Sequence, residues 1–161
     1  MTESIASAAH DVDTRLSCFV MGTNDLAKDT RARLLPGRTA MLPWLMGALA
    51  AARAHGIDIL DGVYNSLSDR QGFSAECEQG RDCGFDGKTL IHPDQIAAAN
   101  EIFAPSRDEV ENARTIVKAF EQPVNAGKGA ISLDGRMVER LHAEMARRTL
   151  ALAEAIGETG P

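Results

Sequence analysis

At 161 residues, with 44% apolar and 25% charged side chains, the chain matches one ordinary domain, able to bury roughly 70% of the surface its unfolded form exposes. Its net charge of −6 argues against a nucleic-acid partner, and no apolar run approaches the roughly 20 residues of a membrane span. The start, Met1-Thr2-Glu3-Ser4-Ile5, lacks the basic cluster and apolar centre of a secretory signal, so the cytoplasm is the expected compartment.

In chain order, Leu16-Ser17-Cys18-Phe19-Val20-Met21 is a short apolar run ending at Gly22 and predicts a buried strand. An alanine-rich helix is predicted from Met41 to His55, ended by Gly56, before a second strand at Ile57-Asp58-Ile59-Leu60. A more polar helix, Ser68 to Cys83, precedes a third strand at Lys88-Thr89-Leu90-Ile91. Strands alternating with helices at spacings of about thirty to forty residues predict βαβ crossovers and a parallel sheet, an α/β fold. A helix from Asp94 to Ile102 follows. Ser106, with Glu109 three residues on, forms a capping box for the next helix, whose apolar stripe is Val110, Ala113, Ile116, Val117 and Phe120. Pro123 to Lys128 reads as a linker. After Asp134-Gly135 the chain is expected to turn helical from Val138 to Ile156, with Leu141, Met145, Leu150 and Leu152 among its apolar positions.

Groups at the C-terminal ends of parallel strands converge on active sites in such folds. Asp25, Asp61 and His92 occupy those positions. Each has a plainer explanation: Asp25 as a turn cap, Asp61-Gly62 as a turn dipeptide, His92 as a histidine bonded to a neighbouring carbonyl. No second histidine stands at metal-ligand spacing, so zinc is not expected, whereas Mg²⁺ suits carboxylate oxygens. Cys18, Cys77 and Cys83 have no Cys-x-x-Cys spacing and read as free thiols.

The stretch Gly84-Phe85-Asp86-Gly87-Lys88-Thr89-Leu90-Ile91-His92-Pro93-Asp94-Gln95-Ile96, followed by Asn100-Glu101-Ile102-Phe103-Ala104-Pro105-Ser106, resembles the end of the barrel in the citrate lyase beta subunit and malyl-CoA lyase (HpcH/HpaI aldolase) family. Met21 to Ala27, Asp58 to Tyr64 and Leu133 to Val138 match further segments in the family's order. The resemblance implies the C-terminal half of a TIM (β/α)8-type barrel over residues 1–122, then a linker and C-terminal helical extension over 123–161 that packs on a neighbouring subunit. A complete barrel takes roughly 250 residues, more than are present here. A homo-oligomer or a partner chain is therefore expected to complete it.

The resemblance also implies chemistry: Mg²⁺-dependent cleavage or condensation of a 3-hydroxyacyl-CoA such as malyl-CoA, citramalyl-CoA or citryl-CoA, with a small 2-oxo acid as the other half. Asp25 takes the position of the magnesium-ligating aspartate, and Asp134, in the family's Asp-Gly-x-Met motif, that of the acid/base group supplied by a neighbouring subunit. Gly62 and Val63, with Ile91, His92 and Pro93, correspond to walls of the acyl-CoA pocket. The family's second magnesium carboxylate falls upstream of the matching segment, and Glu3 is no convincing substitute, so Mg²⁺ is expected to bind weakly. The family's substrate-carboxylate arginine belongs to the front half of the barrel. Arg15, Arg31, Arg33 and Arg38 are not expected to replace it, most of them fitting a solvated loop face. Two alternatives remain beside the lyase: a non-catalytic half-barrel assembly module and an acyl-CoA thioesterase.

Overall fold

A computed structural model describes residues 2–158. The chain divides into two compact units, the first ending at Phe103 and the second beginning at Ala104.

The first unit opens with a short helix α1 (Thr2–Ala6) and a 3-10 turn (Ser7–His10). Then come β1 (Cys18–Val20), α2 (Thr23–Thr30), α3 (Leu42–Ala54), β2 (Asp58–Asp61), α4 (Arg70–Cys83), β3 (Gly87–Lys88) and α5 (Ile96–Phe103). The strands form one sheet in the order β1-β2-β3, all parallel, with Phe19 opposite Ile59 and Asp61 opposite Lys88. Parallel neighbours need long connections, and the helices supply them.

Local signals account for the helices. α3 carries a proline in its first turn and an alanine-rich body, and Gly56, at φ 67°, follows it in the left-handed region that glycine enters without cost. The Asp69 side chain accepts a hydrogen bond from the Gly72 amide and caps α4, which ends at Gly84 with φ 101°. Met41, Leu45, Ala48, Ala52, Ile57, Ile59 and Phe85 form the main core between α3 and the sheet.

The third strand is shorter than expected and starts one residue earlier. Thr89 N–H still donates to the Asp61 carbonyl at 2.9 Å, extending the ladder by one bond. The chain then leaves the sheet, and Ile91 N–H donates instead to the Gln95 side chain at 3.0 Å. Pro93, with no N–H to continue a ladder, opens a 3-10 turn (Pro93–Gln95).

The second unit holds α6 (Arg107–Glu121), a 3-10 turn (Pro123–Asn125), β4 (Ala130–Leu133), β5 (Arg136–Glu139) and α7 (Arg140–Glu158). Both halves of the capping box form: Glu109 N–H donates to Ser106 Oγ at 3.2 Å, and Ser106 N–H to Glu109 Oε2 at 2.7 Å. Because α6 packs on α7, the units divide at 103/104 where the sequence reading divided the chain at 122/123.

The last helix starts at Arg140, two residues later than expected, because Arg136–Glu139 form a strand. β4 and β5 pair antiparallel, Leu133 opposite Arg136, around a two-residue turn in which Asp134 (φ 48°) and Gly135 (φ 77°) are both left-handed. That is the Asp-Gly hairpin turn whose twist matches its strands. The interior of this unit consists of Ala113, Ile131, Val138, Ala143 and Ala146, while Leu141, Met145 and Leu152 of α7 stay exposed.

Candidate functional site

The ends of β1 and β2 define the first part of the site. After β1 the chain turns at Gly22 into α2, and Asp25 sits exposed in its first turn. After β2 stands Asp61, which is fully buried. Arg38 Nη1 donates to both Asp61 oxygens at 2.7 and 2.8 Å, Lys88 Nζ donates to Oδ2 at 3.0 Å, and Gly62 N–H donates to Oδ1 at 2.8 Å. Lys88 also bonds Glu76 at 2.7 Å, and Arg38 Nε donates to Gln79 at 2.9 Å. Two cations and two carboxylates thus neutralise one another inside the fold, the condition under which buried charge is tolerated. With its lone-pair sites engaged by four donor contacts, Asp61 is a structural hub rather than a free acid or base.

Arg15, Arg31 and Arg33 are exposed as expected of a solvated loop face, and Arg38 is the exception. It is only 3% exposed and its backbone adopts φ 50°, so it belongs to the interior and not to a solvated loop face. The sheet end draws it in, because Asp61 and Glu76 both need a cation.

Gly62 is where the two strand ends touch. A Cβ there would lie 2.3 Å from Thr23 Oγ1 and 2.9 Å from the Met21 carbonyl oxygen, so any side chain would force the ends apart. Asn24 and Asn65 exchange side-chain hydrogen bonds at 3.1 and 2.7 Å and tie the two following loops together. Val63 lines a pocket of about 190 Å³ beside Thr23 and Arg38. Next to it the Tyr64 hydroxyl donates to Asp69 at 2.7 Å; that bond pushes the tyrosine up to about 12 and holds the Asp69 carboxyl below its ordinary range.

His92 lies on a second pocket, of about 370 Å³, together with Asp69, Phe73 and Asp94. Its Nδ1 accepts from the Asp94 amide at 3.2 Å, so a backbone amide holds the ring where the sequence alternative had a carbonyl. Ile91 is 50% exposed and Pro93 opens the 3-10 turn that follows. Gln95 was not singled out by sequence reasoning, yet it is buried and donates to the Tyr64 carbonyl at 3.1 Å while accepting from Ile91. It clamps the end of β3 to the loop after β2. Lys88 was equally missed; its signal was a lone cation inside a strand otherwise read as buried, which demands a buried carboxylate.

Asp134 belongs to the second unit. It is exposed at the hairpin tip and lines a pocket of about 500 Å³ with Asn112, Ile116 and His142. His142 Nδ1 accepts from the Glu139 amide at 2.9 Å and fixes the start of α7.

Among the described residues no three His, Cys, Asp or Glu side chains converge on a point. Asp25 therefore offers one carboxylate and does not by itself make a magnesium site. Glu3 is engaged elsewhere, accepting at 2.8 Å from His55. The cysteines are free, and burial pushes the Cys77 thiol up to about 11, opposite to a nucleophile's need. No helix among the described residues is long and apolar enough to cross a membrane.

A parallel sheet with helical crossovers defines the first unit as an α/β fold. The chain belongs to the HpcH/HpaI aldolase/citrate lyase family, whose model matches residues 2–93. It is 54% identical over 156 residues to a (3S)-malyl-CoA thioesterase of Cereibacter sphaeroides, covering 97% of this chain and 54% of that protein. It is 36% identical over 143 residues to the citrate lyase subunit beta of Escherichia coli K12, covering 89% of this chain and 47% of that one. Among solved structures it resembles CitE from Mycobacterium tuberculosis in complex with magnesium, acetoacetate and coenzyme A, with a TM-score of 0.69, 27% identity and coverage of 84% and 51%. A citrate lyase from Burkholderia xenovorans LB400, at TM-score 0.74 and 21% identity over 93% of this chain and 51% of that chain, shares the fold. The chain spans about half the length of the curated relatives it matches.

Proposed function

We propose that the chain is the C-terminal half of a (β/α) barrel that acts on a 3-hydroxyacyl-CoA of the malyl-CoA type, and that the completed protein hydrolyses its thioester. The observation that carries this reading is the 54% identity to a (3S)-malyl-CoA thioesterase across 97% of the chain. In hydrolysis, water adds to the thioester carbonyl, the carbon–sulfur bond breaks, and CoA leaves as its thiol with malate as the other product. The match to the aldolase and citrate lyase family model favours a second reading, cleavage of the carbon–carbon bond to acetyl-CoA and glyoxylate.

Asp25 would contribute one carboxylate to a bound Mg²⁺, which would polarise the substrate's carbonyl oxygen, with its remaining ligands supplied from outside the described residues. Asp134, on its exposed hairpin tip, acts as the acid/base group in a neighbouring subunit's site. Gly62, Val63, Ile91, His92 and Pro93 wall the acyl-CoA pocket. The exposure of Asp25 and Asp134 supports these roles, because a carboxylate that must meet metal or substrate cannot be consumed as Asp61 is. β1 and β3 are edge strands of the three-stranded sheet, which supports completion by further barrel strands or by another copy in a cytoplasmic oligomer.

The test is product analysis. The chain, alone and mixed with the front half of the thioesterase relative, is incubated with malyl-CoA and Mg²⁺. Free thiol with malate establishes hydrolysis, acetyl-CoA with glyoxylate establishes cleavage, and neither from a folded mixture rejects both.

A further inference from the structure

At the end of the sheet opposite Asp25 and Asp61, His55 caps the C-terminus of α3 just before β2 begins. Both of its ring nitrogens are engaged. Nε2 donates to Glu3 Oε1 at 2.8 Å, and Nδ1 lies 2.9 Å from His10 Nε2. The two rings meet edge-on, 67° between their planes, with centroids 5.1 Å apart. Because the carboxylate takes the Nε2 proton, a neutral His55 ring keeps its lone pair on Nδ1 and aims it at His10. Glu3 and His10 come from α1 and the 3-10 turn after it, a segment anchored in the main core by the fully buried Ala6. The His55 side chain is 14% exposed and His10 is exposed, so one ring is set by the fold and the other is open to solvent.

We propose that His10 Nε2 and His55 Nδ1 form a two-nitrogen site for a divalent late transition metal of the nickel or copper type, with Glu3 orienting His55 from behind. Imidazole nitrogens suit these ions, whereas Mg²⁺ selects oxygen, so the site is chemically separate from the magnesium proposed at Asp25. The spacing matches: two nitrogens bound at about 2.1 Å on adjacent positions of a tetragonal metal stand about 3 Å apart. Here the two ring nitrogens are 2.9 Å apart. The ion takes the position along the His55 lone pair, and the exposed His10 ring swings to one side with its proton on Nδ1, so that its Nε2 lone pair meets the same ion. Glu3 keeps the Nε2 proton on His55, which fixes the tautomer and raises the basicity of Nδ1, as carboxylates behind metal-bound histidines do. Among the described residues no third such ligand joins the pair, so water fills the other positions.

The experiment is a calorimetric titration of the whole chain with Ni²⁺, followed in parallel by the NMR signals of the ring protons of its four histidines. One equivalent is expected to bind saturably and, through the paramagnetism of the ion, to broaden the His10 and His55 signals before those of His92 and His142. An excess of Mg²⁺ leaves the affinity unchanged. Glu3→Ala, which spares both ligands, weakens Ni²⁺ about tenfold. His10→Ala, a truncation at an exposed position, weakens it further. Because the two rings lie 45 positions apart and meet only in the folded chain, Ni²⁺ also raises the melting temperature of the wild type and not of His10→Ala. Absence of saturable binding, broadening that falls first on His92 or His142, or an affinity unchanged in either variant overturns the proposal. No turnover is read, so a failure here leaves the thioesterase reading standing, and a failure of turnover leaves this site standing.

Discussion

The two compact units solve the problem of an interior in opposite ways. The first buries a cluster of charge, Arg38, Asp61, Lys88 and most of Glu76, beneath its strand ends. The second buries alanines at α6 and α7 and leaves Leu141, Met145 and Leu152 exposed. Charge pairing is directional, so the first unit fixes where its strand ends and loops stand. Alanine packing lets helices approach closely but specifies less, and it leaves an apolar face uncovered. The unit with the proposed metal and acyl sites is the one with the rigid underlay.

The sharpest way to break that contrast is Asp61→Ala. It would leave Arg38 and Lys88 buried with a single partner carboxylate, a loss of about 3–5 kcal/mol expected in urea unfolding. Met145→Ala in the second unit, where the side chain is 63% exposed, should change stability by less than about 0.5 kcal/mol. Equal effects would abolish the distinction.

Gly62→Ala comes next, with a loss of about 1–3 kcal/mol because the new methyl meets Thr23 and the Met21 carbonyl. Adding Thr23→Ala should recover only the side-chain part of that loss, since the carbonyl contact persists. Ser106→Ala removes one half of the capping box and should cost about 1 kcal/mol, read on the second unit.

The smallest effect is a pH dependence. Burial holds the Cys77 thiol neutral up to about 11, so the folded state ionises it later than the unfolded chain does. Its contribution is full below about 9 and is lost as pH rises towards 11. The melting temperature of Cys77→Ser should show a weaker decline across that window than the wild type, and Cys77 should resist alkylation at pH 8.

Much of the first unit was legible in the sequence because its signals are local, the strand and helix alternation and Gly56 after α3, and so was the Ser106 and Glu109 pair that opens α6 in the second. What escaped depends on distance along the chain. Arg38 looks like one more loop arginine until Asp61, 23 positions on, and Lys88 are brought against it. Gln95 acquires its role only when Tyr64 folds over it. The hairpin is a different kind of miss. Asp134-Gly135 is a strong hairpin signal, but its four-residue strands alternate too briefly to compete with the long helical pattern beyond. Of the candidate site, the positions at strand ends were readable, whereas the division between the consumed carboxylate Asp61 and the exposed carboxylates Asp25 and Asp134 needed burial and partners.

The most direct test of that division is the malyl-CoA turnover of Asp25→Asn in the chain complemented by the front half of the thioesterase relative. The expected result is turnover reduced by at least about a hundredfold with unfolding unchanged, as for a group that serves chemistry and not the fold. Turnover retained at the wild-type level would contradict it, and would mean that the exposed carboxylate after β1 serves the chemistry no more than the buried one at the end of β2.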